Sequence, residues 1–181
     1  MLAYSGVGHA GFILTGVAAG FIGTPGVLFY LATYAVMLVA AFAAVTAVSG
    51  PSTSGSPFDA YRGLGKRSPV VAGTLAVLML GMSGMPLTSG FIGKFQVFSA
   101  AWDAELGWLV IVGLIASVAA FYFYLRLIVV MYFGGDEEAA SDETLDVAPA
   151  LRWVFYVGVA VTIFLGLFPS PLLDLVTSAL G

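Results

Sequence analysis

The chain has no cysteine and a single histidine, His9, among its 181 residues. Disulfides and thiolate metal sites are therefore excluded, and a multi-histidine metal site cannot be assembled. Haem or iron–sulfur chemistry has little to stand on. Charge is scarce as well: 9% of residues are Asp, Glu, Lys or Arg, against 60% that are hydrophobic. Mean hydropathy is +1.04. A soluble domain of this length has too little interior to hide so much apolar surface, whereas a lipid solvent removes the difficulty. The net charge of -4 says nothing about a partner, because most of the acids fall in one short run and no basic patch suggests nucleic acid. The opening MLAYSGVGHAGF contains no basic residue, so it does not read as a signal peptide. It reads as the entrance of a transmembrane helix. No phosphate-binding glycine loop, nucleophile elbow or paired-carboxylate site is visible.

What is abundant is long apolar sequence. A spanning helix needs roughly 20 mostly apolar residues, and five stretches meet or approach that length. They run from about Leu2 to Ile22, Val27 to Val48, Val70 to Trp102, Leu106 to Phe133 and Leu151 to Phe168. The third is too long and too interrupted for one straight helix. The tail PSPLLDLVTSALG reads as a short interfacial helix or a bent continuation. Barrel strands would be short and alternating, so the expected fold is all-α: a polytopic helix bundle of about five spans, one of them discontinuous. Three of the six basic residues, Arg62, Lys66 and Arg67, lie in the polar loop between the second and third stretches. By the positive-inside rule that loop, residues 50–69, faces the cytoplasm, in a multi-pass protein of the cell (inner) membrane. The acidic run from Asp136 to Asp146 then also falls inside and reads as a solvated loop, with docking of a neighbouring subunit as the sharper alternative. Gly16 and Gly20 have the spacing that lets helices approach closely in lipid; packing is the plainer reading.

The informative stretch is LGMSGMPLTSGFIGKFQVF, Leu80 to Phe98. Pro86 lacks an amide hydrogen and breaks the helical ladder, while Gly84 and Gly90, with Gly81 and Gly93, ease unwinding. Thr88 and Ser89 offer hydroxyls to the freed backbone groups. Lys94 follows the break inside an apolar segment. Irregular backbone at membrane depth survives only where protein buries it or water lines it, and a lysine there is by default a functional candidate. The proton affinity of a buried lysine responds strongly to nearby charge and hydration, and a broken helix adds exposed dipoles beside it. Snorkelling toward Trp102 and Asp103, roughly 12 Å away at helical rise, is the structural alternative. His9 is a candidate proton relay or a hydrogen-bonded interface histidine. Arg126, after the run Phe121-Tyr122-Phe123-Tyr124, reads as a snorkelling side chain. Tyr4, Tyr30 and Tyr34 read as packing or interfacial residues that a water chain could use.

Four passages carry a resemblance: MLAYSGVGHAGF, FDAYRGLGKRSPVVAG, SGMPLTSGFIGKFQVF and FYFYLRLIVVMYF. In order and spacing they resemble the antiporter-like membrane subunits of the respiratory NADH-quinone oxidoreductase, complex I, and among these the subunit N family. The resemblance implies a proton-translocating membrane-arm subunit. Lys94 matches the lysine on the discontinuous helix of the second half-channel, and His9 a histidine of the same hydrophilic axis. It implies other membrane subunits as partners, and lipid around the chain. Flavin, iron–sulfur clusters and quinone would be held in partner subunits or at the level of the complex, with no cofactor in this chain. Leu87 stands where the family often has a second proline, and Gly6 and Gly8 replace larger residues. The helices that hold the family's first-repeat lysine and glutamate, and the lysine of its central helix, have no counterpart here. The chain is therefore read as a C-terminal fragment, a split gene or a truncated gene model, a piece that does not pump protons unaided. Two alternatives are an antiporter subunit exchanging sodium for protons, which shares the broken-helix lysine, and a structural module whose polar residues only bind neighbouring helices. The YRGLGKRSP loop and the FYFYLR run favour the first reading.

Overall fold

The computed structural model describes residues 2–48, 59–134 and 147–180, so the acidic run and most of the loop after Val48 lie outside it. Among the described residues the fold is entirely helical: α1 (Leu2–Ala18), α2 (Thr24–Val48), α3 (Leu64–Arg67), α4 (Pro69–Ser83), α5 (Ser89–Asp103), α6 (Gly107–Phe133), α7 (Pro149–Leu167) and α8 (Ser170–Leu180). Three helical stretches are long and apolar enough to cross a membrane by themselves: Gly20–Val48, Gly107–Phe133 and Pro149–Leu167.

Local chemistry explains where the elements stop. After α1, Gly20 takes a left-handed φ of +69, and the 3₁₀ turn Gly20–Gly23 carries the chain into α2. Gly23 lies so close to the Gly16 carbonyl that an added Cβ would sit 1.9 Å from it; any other residue would push the turn off the helix. Pro69 opens α4, where its missing amide hydrogen costs no helical bond. Pro169 separates α7 from α8, Pro171 sits in the first turn of α8, and α8 buries none of its side chains.

α2 is the central helix, packed on α1, α4, α5 and α7. Its buried face is lined by Phe29, Tyr30, Met37, Ala40, Ala41 and Ala44, and the small residues draw α7 close: a Cβ on Gly158 would meet Ala40 at 2.4 Å. Lipid tails are as apolar as leucine, so close approach of this kind, rather than a hydrophobic drive, holds membrane helices together. The outer faces are apolar and exposed, notably Ile115, Val118 and Phe133 on α6. All three tryptophans are exposed, Trp102 and Trp108 flanking the α5–α6 turn and Trp153 near the start of α7, as expected of side chains that sit at headgroup level.

Candidate functional site

The chain breaks between Ser83 and Ser89. α4 ends in a Schellman motif: Gly84 at φ +86 donates its N–H to the Gly81 carbonyl at 3.0 Å, and Met85 N donates to the Leu80 carbonyl at 3.0 Å. Pro86 then cannot extend the ladder. Leu87 takes φ +73, a left-handed conformation closed to proline, whose ring fixes φ near -65°. A proline at this position would force a different path through the break. Thr88 turns the chain back into a helix, its hydroxyl donating to the Met85 carbonyl at 2.6 Å and its carbonyl accepting from Phe91 N at 3.1 Å. The halves overlap side by side, because Gly90 lies against the Gly81 carbonyl, where a Cβ would come within 2.0 Å. α7 closes the break from outside through Gly166, which touches the Leu87 carbonyl and Thr88 backbone in the same way.

This geometry places Lys94. One turn into α5 its side chain runs back across Gly84, and Nζ donates to the Ser83 carbonyl at 2.8 Å and to Ser117 Oγ at 2.7 Å. The Ser83 carbonyl belongs to the last turn of α4, whose carbonyls have no helical partner and form the negative end of the helix dipole. An ammonium is well suited to that position. Both hydrogen-bond partners are neutral, however, and Lys94 is only 5% exposed. The side chain does not snorkel. A cavity of about 350 Å³ begins at Lys94 and Ser117 and follows α5 past Phe95 and Ser99 to Trp102.

A second polar group lies on the other side of α1's inner face. His9, 2% exposed, has both ring nitrogens engaged: Nδ1 with the Tyr30 hydroxyl at 2.8 Å and Nε2 with the Tyr124 hydroxyl at 3.2 Å. A neutral imidazole donates from one nitrogen and accepts at the other, so one tyrosine donates to the ring while the other accepts. The Tyr124 hydroxyl also bonds Ser5 Oγ. Tyr34 stacks on the imidazole, ring centroids 4.3 Å apart, and its buried hydroxyl has no protein partner. It faces Gly6, where a Cβ would lie 3.4 Å away. Tyr30–His9–Tyr124–Ser5 is thus a continuous hydrogen-bonded chain. A cavity of about 490 Å³ opens beside it between α1 and α6, lined among others by Ser5, Gly8, His9 and Tyr124.

The structure draws Lys94, Gly84, Pro86 and Gly90 into one broken-helix element and sets His9 next to it, with Phe12 in between. Arg126 is exposed and lines neither cavity, whereas Tyr4, also exposed, lines the cavity beside His9. Sequence reasoning did not single out Ser117, Tyr124 or Ser5 as site residues. Ser117 and Tyr124 are seven residues apart, two turns on one face of α6, and that spacing is a signal available in the sequence. Ser5 carried none.

Residues 1–120 match the family described as NADH:quinone oxidoreductase/Mrp antiporter, TM. The chain belongs to that family. NADH-quinone oxidoreductase subunit N 3 of Streptomyces griseus subsp. griseus is 48% identical over 99% of this chain and 32% of its own length. This NADH:quinone oxidoreductase/Mrp antiporter family member also superposes on solved structures. A chain of respiratory complex I from Thermus thermophilus matches with TM-score 0.81 and 28% identity, over 96% of this chain and 38% of that one. A chain of the archaeal membrane-bound sulfane sulfur reductase matches with TM-score 0.86 and 30% identity, over 99% of this chain and 36% of that one. The chain spans about a third of the length of the curated relatives it matches, 32–37% of each of the first three.

Proposed function

We propose that this chain forms part of a membrane-arm subunit of a proton-pumping NADH-quinone oxidoreductase, and that Lys94 takes up and releases a proton in transit across the membrane, with His9 as a relay in the same axis. One observation carries the reading: a lysine held in a helix break by neutral oxygens alone, at the head of a cavity that runs to Trp102. Charge at membrane depth costs roughly 2.5–3.5 kcal/mol on insertion scales, and the Ser83 carbonyl and Ser117 hydroxyl offset that cost without an opposite charge to lock the proton in place. Release along the cavity leads to the α5–α6 turn with Asp103 and Glu105. The names of the curated relatives favour this reading over sodium–proton exchange. Electron entry, flavin, iron–sulfur clusters and the quinone belong to partner subunits, and the remaining membrane subunits and lipid surround this chain.

The test uses the full-length subunit in its assembled complex. With Lys94→Ala, quinone reduction should continue while pumped protons per electron pair fall and assembly stays close to wild type. Unchanged stoichiometry at normal assembly would reduce Lys94 to a packing residue.

The cytoplasmic placement of residues 50–69 rests on Arg62, Lys66 and Arg67. A cysteine introduced at Ser54 should resist membrane-impermeant thiol reagents applied to intact cells, and one at Glu105 should react. The opposite pattern would invert the topology and the direction of release.

A further inference from the structure

Two polar groups with separate cavities stand on either side of one aromatic ring. Phe12 is on the same face of α1 as His9, one turn further along, and is 4% exposed. Its ring meets the imidazole edge-on, centroids 5.8 Å apart, and meets Phe98 edge-on at 5.8 Å. Lys94 Nζ lies 4.7 Å from its centroid, over the ring face. Phe12 also lines the cavity beside His9, while Lys94 and Phe98 line the cavity that leads to Trp102. No hydrogen bond joins Lys94 to the His9 chain among the described residues; its donors go to Ser83 and Ser117.

We propose that Phe12 is the barrier between the His9 chain and Lys94: the closed ring keeps the two cavities apart, and a proton crosses from one group to the other only when that ring swings aside and water fills its place. This rests on the proton-carrying reading of Lys94 given above. The physics has two parts. An aromatic ring offers neither donor nor acceptor in its plane, so it interrupts a proton wire that water would complete. Its face nevertheless attracts the ammonium, which holds charged Lys94 toward the ring. A Lys94 that has lost its proton loses that attraction, so the ring's hold depends on the state of the group it insulates. The apolar surround (Phe98 on one side, the His9 ring on the other) lets the closed position pack without a polar partner. Removing the ring would leave room for about three waters at roughly 30 Å³ each, enough to bridge Lys94 and His9.

Phe12→Ala in the full-length subunit, assembled with its complex in proteoliposomes, tests the idea. An imposed pH gradient should collapse severalfold faster than with wild type in the absence of turnover. During turnover, quinone reduction should persist with fewer pumped protons per electron pair. Phe12→Val, which keeps more of the packing, should leak less but measurably, and it carries the test if the alanine variant assembles poorly. Phe155→Ala removes a buried ring of the same size on α7 that lines neither cavity, and should stay tight. A tight, fully coupled Phe12→Val, or an equal leak from Phe155→Ala, would overturn the barrier. Lys94→Ala run in parallel separates the two ideas: impaired pumping there with tight Phe12 variants removes only the barrier, whereas normal pumping there removes the reading on which it rests.

Discussion

Lys94→Arg should lower the number of pumped protons per electron pair as far as Lys94→Ala does, although it keeps the positive charge. The guanidinium holds its proton at any attainable pH, so it can occupy the site but cannot pass a proton on. It also fits poorly. The lysine side chain lies directly against Gly84, where even a Cβ would come within 3.0 Å of Cδ and 3.2 Å of Nζ. Its three donor hydrogens meet two oxygens and a ring face, whereas a planar fork with five donors would leave several unpaired. A snorkelling lysine would behave in the opposite way, since arginine reaches an interface at least as well. The measurement is pumped protons per electron pair with the amount of assembled complex determined on the same membranes. Near-normal pumping in Lys94→Arg would show that fixed charge suffices and would end the relay reading.

Gly90→Ala should destabilise the subunit heavily. The new Cβ would stand 2.0 Å from the Gly81 carbonyl oxygen, and that oxygen is already fixed as the acceptor for Gly84 N in the α4 cap. Neither group is the flexible end of a side chain, so the contact can be relieved only by parting the two half-helices. Overpacking of this kind costs about 1–3 kcal/mol or more, and here it also moves the Ser83 carbonyl that holds Lys94. The amount of complex in membranes and its thermal inactivation should both drop. Gly73→Ala, in the same broken-helix element, is the control: a Cβ there meets nothing within 4 Å, so assembly should be unchanged or slightly improved. Equal behaviour of the two variants would mean that the close contact between α4 and α5 does not hold the break together.

The sequence by itself determined the solvent, the helical class and the one place where a helix must fail. Those follow from local quantities: the length of apolar runs, the shortage of charge, and Pro86 among glycines with Lys94 just beyond. It also contained enough pattern to show the family through Tyr61-Arg62-Gly63-Leu64 and Gly93-Lys94-Phe95. Tertiary structure decided what Lys94 touches. Ser83 is 11 residues away and Ser117 is 23, and no periodicity within one helix can reveal a partner on another. The same holds for His9, whose two tyrosines come from α2 and α6, 21 and 115 residues distant. It decided, too, that Leu87 adopts a left-handed backbone, a consequence of closing the break against Gly166 on α7 rather than of leucine's own preference. Phe12 looked like one more apolar residue of α1, because its character is ordinary. Only its position between an imidazole and an ammonium, set by how α1 packs on α5, turns it into a barrier.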